Sequence, residues 1–356
     1  FDRDNIILLD YPPMDFSGLN LEEIKKFNIE EFYPDKLLKD LHKRADKLLD
    51  DLYKKIKGTL IYSGIDLFSI IKNKMYTYYF IHFVRHIEML SYIIDKKNPE
   101  EIIIRCNQSR KDYDNFIDNP EMSIEIIREI CRVKKIRLNI EYIKNKKSYA
   151  KKSEFFKEML GKLQNIHFWI MASKKRRNIL FIGGKNAYSP ILKRLKGKVN
   201  IVRCGIRSGI GFFGRDQNYY LTFGDYKKDI DFNNEKEHIT KNIKKINYKG
   251  YLFYNMFSRN MDFLFDDYFR KIVRWIDIAY KIEPYIESAV TTNDTITFEQ
   301  IIIKVLKKSG KKCYVIQHGY TTLAEHFFPL VNGGMIADKM FVWGRTSKEW
   351  MIKNGL

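Results

Sequence analysis

The chain has 356 residues, 45% of them hydrophobic, and carries 64 Lys and Arg against 44 Asp and Glu, a formal net charge of +20. That length and apolar content suffice for one large or two smaller α/β domains. No run approaches the ~18 apolar residues that span a bilayer, which excludes a transmembrane helix; the nearest, Met75 to Leu90, is broken by His82, Arg85, His86 and Glu88.

The charge admits two readings. Lysine far outnumbers arginine, and Ile, Asn and Tyr are abundant, which is the composition of an AT-rich genome and requires no nucleic-acid partner. The second reading is a basic surface facing an anionic lipid-linked or polyanionic acceptor. Cys106, Cys131, Cys204 and Cys313 show no pairing and no CxxC spacing, so they read as reduced core residues of a cytosolic protein. The first residue is Phe1, so a leader ahead of it stays open.

Asn5 to Asp10 reads as a buried strand closed by Pro12-Pro13. Leu37 to Ile56 is a charged amphipathic helix ended by Gly58. Thr59 to Tyr62 predicts a short strand, after which Ser63-Gly64-Ile65-Asp66 opens a helix containing Phe68, Ile70 and Ile71. A helix over Tyr78–Lys96 ends before Pro99, and Glu101–Cys106 is the next strand. A helix over Ser123–Val133 and a strand over Ile136–Ile143 complete a βαβ-like alternation, which implies a largely parallel sheet. The basic connector Lys144–Lys152 marks a domain boundary, dividing residues 1–150 from 151–345, with 346–356 starting an interdomain helix.

A helix over Phe155–Ile170 leads to Lys174-Lys175-Arg176-Arg177, a solvated loop or a phosphate-binding patch. Asn178 to Ile182 is a strand, and Gly183-Gly184-Lys185-Asn186 turns it into a helix ending at Lys196. A glycine pair there resembles a phosphate-cradling turn but lacks the P-loop spacing and the full G-x-G-x-x-G. Lys198–Arg203 is the next strand, Gly205–Gly214 a basic glycine-rich loop, and Asp225–Gly250 a polar, partly irregular surface stretch. Tyr251 to Tyr280 is helical, with aromatic residues suited to a core or lid rather than to sugar stacking. Ile286–Thr292 is a strand whose end carries Asn293-Asp294.

Phe298 to Lys308 is an amphipathic helix, and Cys313–Ile316 is a run of β-formers too short for anything but a strand. Gln317-His318-Gly319 follows it, so a histidine lies just past a strand's carboxyl end, the edge where open α/β sheets bind ligands. Asp338 to Gly344 is a further strand, with a helix capped at Thr346 or Ser347 beyond it.

Val-Ile-Gln-His-Gly at 315–319, followed about twenty residues later by Ala-Asp-Lys-Met-Phe-Val-Trp-Gly, resembles the middle of a GT-B glycosyltransferase. The similarity is to surface-polysaccharide and capsule transferases and to CDP-glycerol glycerophosphotransferases. It is specific over residues 286–356 and architectural before that. It implies an α/β fold with Rossmann-like parallel sheets and helices on both faces, as in the N-terminal part of a GT-B enzyme. A second, nucleotide-binding domain is expected after Leu356. The enzyme would need no cofactor beyond a nucleotide-activated donor as substrate, and would act at the inner face of the cell membrane on a glycan or lipid-linked acceptor.

In that family the histidine of the His-Gly motif is regarded as the catalytic base, and His318 occupies its position; a histidine that only hydrogen-bonds the loop is the alternative. Asp294 and Glu325 are runner-up bases, with helix capping the simpler role for Asp294. Gln317, Gly319 and Tyr320 would orient the acceptor, Gly184, Lys185 and Asn186 would face it across the cleft, and Arg345 would reach a donor phosphate. The histidines form no H-E-x-x-H or Cys/His cluster, so no metal site is expected, and no G-x-S-x-G elbow marks a hydrolase. Three other readings stay open: a glycerophosphotransferase, an enzyme like the UDP-GlcNAc 2-epimerases, and a catalytically inactive glycan-binding module.

Overall fold

The computed structural model describes residues 8–9, 26–27, 35–107, 120–143, 177–182, 185–195, 197–204, 218–221, 228–292, 297–316, 336–342 and 344–353. The chain forms two compact units. The first takes residues 1–60, 71–148 and 232–263, and the second takes 61–70, 149–231 and 264–356. Strands β1 (Leu8–Leu9) and β2 (Lys26–Phe27) form a short parallel pair in the first unit.

The first unit is mainly helical. Helix α1 (Asp35–Ile56) presents Leu41, Ala45, Leu49, Leu52 and Ile56 at three- and four-residue spacing, all at most 2% exposed. A helical run follows, in which α2 (Leu67–Met75) passes through a π-turn over Tyr76–Phe80 into α3 (Ile81–Lys97). Asn98, with φ 44°, ends α3 in the left-handed region, and its N–H donates to the Ile94 carbonyl. Strand β5 (Glu101–Asn107) pairs in parallel with β6 (Arg137–Ile143) through α4 (Pro120–Lys134).

Residues 233–262 close the unit. The charged stretch expected to be partly irregular contains α6 (Asn233–Ile243), which buries Ile239, Asn242 and Ile243. Its buried stripe is narrow, so the charged remainder masks it in the sequence. Strands β10 (Asn247–Tyr248) and β11 (Tyr251–Leu252) form a hairpin leading into α7 (Phe253–Asp262). Phe253 stacks on Phe80 at 4.5 Å, and Phe257 meets Tyr79 edge-on at 4.7 Å. These aromatics are core.

The second unit is built on a parallel sheet. Its strands are β7 (Asn178–Ile182), β8 (Asn200–Cys204), β9 (Asn218–Leu221), β12 (Ser288–Thr291), β13 (Lys312–Ile316) and β14 (Lys339–Phe341). They lie in the order β14-β13-β12-β7-β8-β9, with every pairing parallel. Helix α5 (Lys185–Leu195) lies on one face, where Tyr188 and Leu192 pack with Phe181, Ile201 and Ile316. Residues of the opposite parity (Leu180, Ile182, Val202, Ala289, Cys313, Val315) are at most 2% exposed. On β12 and β13 packs α9 (Thr297–Lys308), itself against α8 (Phe269–Ile282). Asp338 ties β13 to the approach to β14, accepting from the Cys313 N–H at 2.9 Å.

Residues 61–70 belong to this unit as well. The helix expected to open at Ser63 does not. Ser63 (φ 49°) and Gly64 (φ 71°) instead turn β3 (Ile61–Tyr62) back on β4 (Ile65–Asp66), and α2 begins only at Leu67. Two successive positive φ values are the geometry of a tight hairpin turn, which a Ser-Gly pair accommodates. Asp66 then caps α2 by accepting from the Phe68 N–H at 3.0 Å.

Candidate functional site

The strand order of the second unit defines a place. From β7 the chain moves to β8 and β9 on one side, whereas β12, β13 and β14 lie on the other. Connections therefore leave β7 and its neighbour β12 in opposite directions, and such a reversal is where open parallel sheets take ligands at their carboxyl ends. Ile182 and Thr291, each the last residue of its strand, are register partners there.

Most of the sequence-predicted site residues lie outside the described residues: Gly184, Asp294, Gln317, His318, Gly319, Tyr320 and Glu325. The strands that precede them are described. Ile182 ends β7, Thr291 ends β12 and Ile316 ends β13, and these three strands are neighbours. In the sequence, Gly184, Asp294 and His318 follow those ends by two or three residues. Lys185 and Asn186 are the first two residues of α5.

Arg345 stands apart. It sits at the start of α10 (Gly344–Lys353), its side chain 90% exposed, and donates to Glu349 at 2.6 Å one turn on. The helix thus begins before the Thr346 or Ser347 cap expected from the sequence.

The described residues add polar groups at this edge that the sequence pattern did not single out. Tyr188 of α5 is 1% exposed, and its hydroxyl donates to the Ile182 carbonyl. Burial raises the phenol's pKa far above its ordinary value, a shift that Thr292 and Thr291 oppose. Tyr268 shares a hydrogen bond of 2.7 Å with Thr297, the first residue of α9. Glu299 and Gln300, in the first turn of α9, are 5% and 1% exposed.

Glu299 acts electrostatically on both Tyr188 and Cys204. One signal was available for this group: α9 buries every residue from Thr297 to Ile303, so a Glu-Gln pair inside it is out of place in a plain core helix.

Cys131, Cys204 and Cys313 are buried, and burial favours their neutral thiols. Burial raises Cys131 to about 11 and Cys313 to about 12. Cys204 is raised further, by burial first and then by Glu299. Among the described residues no group of His, Cys, Asp and Glu could hold a metal ion, and no helix is long and apolar enough to cross a membrane. A cavity of about 240 Å³ lies on the α5 face, lined by Val290, Tyr314, Ile316 and Phe341 among others. Its apolar walls suit packing rather than charge transfer.

The first unit holds its own titratable groups. His86 is 2% exposed and its Nδ1 donates to the His82 carbonyl at 2.7 Å. Burial lowers His86 to about 3 and His82 to about 4, assisted at both by the positive charge of Arg85. Glu88 accepts from Arg44 at 3.0 Å, from Lys249 at 2.7 Å and from the Tyr248 hydroxyl.

Compared with family models, with curated proteins and with solved structures, the chain matches none of them.

Proposed function

We propose that the chain is the acceptor-side part of a nucleotide-sugar-dependent GT-B glycosyltransferase that builds a cell-surface polysaccharide, with a Rossmann-like second unit and His318 as general base. The observation that carries this reading is the parallel sheet whose order reverses at β7. The chain segments bearing Gly184, Asp294 and His318 follow three neighbouring strands of that sheet at their carboxyl ends.

The chemistry follows from those positions. An acceptor hydroxyl would give its proton to the imidazole of His318 as its oxygen attacks the anomeric carbon of the donor. The bond to the nucleotide phosphate then breaks, and positive or N–H groups stabilise the leaving phosphate. Gln317, Gly319 and Tyr320 would orient the acceptor from the same loop, with Gly184, Lys185 and Asn186 facing it. Asp294 and Glu325 are the alternative bases. Arg345 bonds Glu349 through Nε, and a donor phosphate would meet the other end of its exposed guanidinium. The nucleotide itself is expected on a second, nucleotide-binding domain.

The test is a transfer assay on the complete protein. UDP-, CMP- and CDP-linked donors are supplied with lipid-linked and soluble glycan acceptors, and products are resolved by mass spectrometry. Transfer of sugar to an acceptor is the expected result. A CDP-glycerol donor consumed in preference to every sugar donor would move the chain to glycerophosphate transfer. Epimerised donor with no acceptor present, or no donor consumed at all, would overturn the proposal.

A further inference from the structure

The two faces of the second unit's sheet are filled unequally. On the face of β12 and β13 where α9 packs, Ala289, Cys313 and Val315 are at most 2% exposed. On the other face Val290 and Tyr314 are only partly buried, although they alternate with those residues in the same strands. Parallel strands are ordinarily covered on both faces, by helices.

Register defines that second face. Phe181, Val290 and Tyr314 form one row across β7, β12 and β13, and Ile316 stands beside Phe341 in the next. The Tyr314 and Phe341 rings lie 6.0 Å apart, so β13 and β14 point aromatic side chains the same way. Among the described residues, α5 is the one helix lining this cavity of about 240 Å³, through Ile191 and Leu195. Phe341 is 56% and Ile191 37% exposed.

The dimensions fit a helix. α5 packs over β7 and β8, with Tyr188 and Leu192 against Phe181 and Ile201. A neighbouring helix sits about 8–10 Å away, which is about two strands at roughly 4.8 Å each. Two strands on from β7 and β8 lie β13 and β12, whose partly buried residues form the floor.

The rim carries charge of one sign. Lys339 precedes Phe341 by two residues and so shares its face, as Lys312 shares that of Tyr314. Arg194 follows Ile191 by three residues on α5, a neighbouring position on the helix surface. All three cations are exposed, and none of the described lining residues is acidic. Lys312 lies 3.4 Å from Asp338, an exposed pair that holds it weakly.

We infer that this face docks an amphipathic α-helix of a partner protein, with its apolar stripe on Val290, Tyr314 and Phe341 and its acidic flanks toward Lys312, Lys339 and Arg194. The inference is independent of the transferase reading. A lipid surface fits less well, because the apolar floor is recessed beside α5 rather than projecting from the molecule.

The test uses the complete protein and two designed helical peptides. They share one leucine stripe and differ only in their flanks, glutamate in one and lysine in the other. Binding is followed by fluorescence anisotropy of the labelled peptides at low and physiological salt. The glutamate peptide should bind about tenfold more tightly than the lysine peptide, with the gap narrowing in salt. Phe341→Ser and, separately, Ile191→Ser should weaken it about tenfold, the loss of one apolar anchor. Lys339→Glu combined with Arg194→Glu should invert the preference between the peptides. Tyr92→Ser, at an exposed aromatic of the first unit, is the control and should change nothing. Thermal melts accompany each variant; where one fails to fold, the remaining variants decide.

Equal binding of the two peptides, no binding of either, or binding unmoved by Phe341→Ser and Ile191→Ser would overturn the inference. A concentration-dependent dimer lost in Phe341→Ser would overturn it too, by giving the face to a second copy of the chain. So would binding to phosphatidylglycerol vesicles that the same variant abolishes, which would give the face to a membrane.

Discussion

The two units bury polar groups in different ways. In the first, His82, His86 and Glu88 lie along one helix; His86 donates to that helix's own backbone, and Glu88 accepts from Arg44, Lys249 and the Tyr248 hydroxyl. In the second, Tyr188, Thr291, Thr297, Glu299 and Gln300 come from three elements and gather at one edge of a parallel sheet. The first arrangement pairs His86 and Glu88 locally. The second concentrates hydroxyls and a carboxyl where the strand order reverses, which is where a parallel sheet can receive a ligand. Buried polarity by itself is therefore a poor guide to function; its location relative to the strand ends is the better one.

The largest expected effect separates two histidines. His318→Ala in the complete protein should lower kcat by about 10²- to 10⁴-fold, the usual cost of a lost general base, with an unchanged melting temperature. His86→Ala should do the reverse, lowering the melting temperature while leaving turnover per folded molecule near wild type. Turnover assays paired with thermal melts check both. Loss of stability in His318→Ala would erase the distinction between the units.

Acid should find the first unit before the second. His82 and His86 have folded values of about 4 and about 3, below the ordinary 6.5, because burial disfavours their charged forms. Below pH 6.5 the unfolded chain binds protons that the folded chain does not. The stability from this pair is therefore complete above about pH 6.5 and is lost as pH falls toward 4, by a few kcal/mol in total as an order of magnitude. Melting curves between pH 7.5 and 4.5 should slope less steeply for His86→Leu than for wild type. Parallel slopes would show that other groups carry the acid response.

A smaller effect concerns Glu88. Its carboxyl is held below the ordinary range although burial opposes this, because Lys249 and Tyr248 hydrogen-bond to it and Arg44 lies close. Glu88→Gln should cost about 1–2 kcal/mol, limited because Arg44 and Lys249 are half exposed and screened by solvent. Urea unfolding at low and high salt measures it, and the gap between wild type and variant should narrow in salt.

What the sequence revealed was local. The α1 stripe, β7 and the strand before Gln317 were legible because apolar spacing and short runs of β-formers sit within one element. The hairpin at Ser63-Gly64 was misread because a serine shortly before an apolar run also opens helices; the two positive φ values tell them apart. Strand β9, over Asn218–Leu221, went unnoticed between glycine-rich and charged stretches. The meeting of β7 with β12, more than a hundred residues further along, was out of reach altogether, as was the bond from Tyr188, whose spacing marks it only as core.

The central claim is that a histidine at the sheet's carboxyl edge removes the acceptor's proton. The pH dependence of kcat/KM for sugar transfer, wild type against His318→Ala, addresses it most directly, taken from pH 5.5 to 9 so that acid loss of the first unit is corrected by melting at each point. For the wild type we predict an acidic limb with a single ionisation in the imidazole range, about 6.5. In His318→Ala that limb should vanish along with most of the rate. A limb that persists in the variant, at a rate within a few-fold of wild type, would contradict the account and pass the role of base to Asp294.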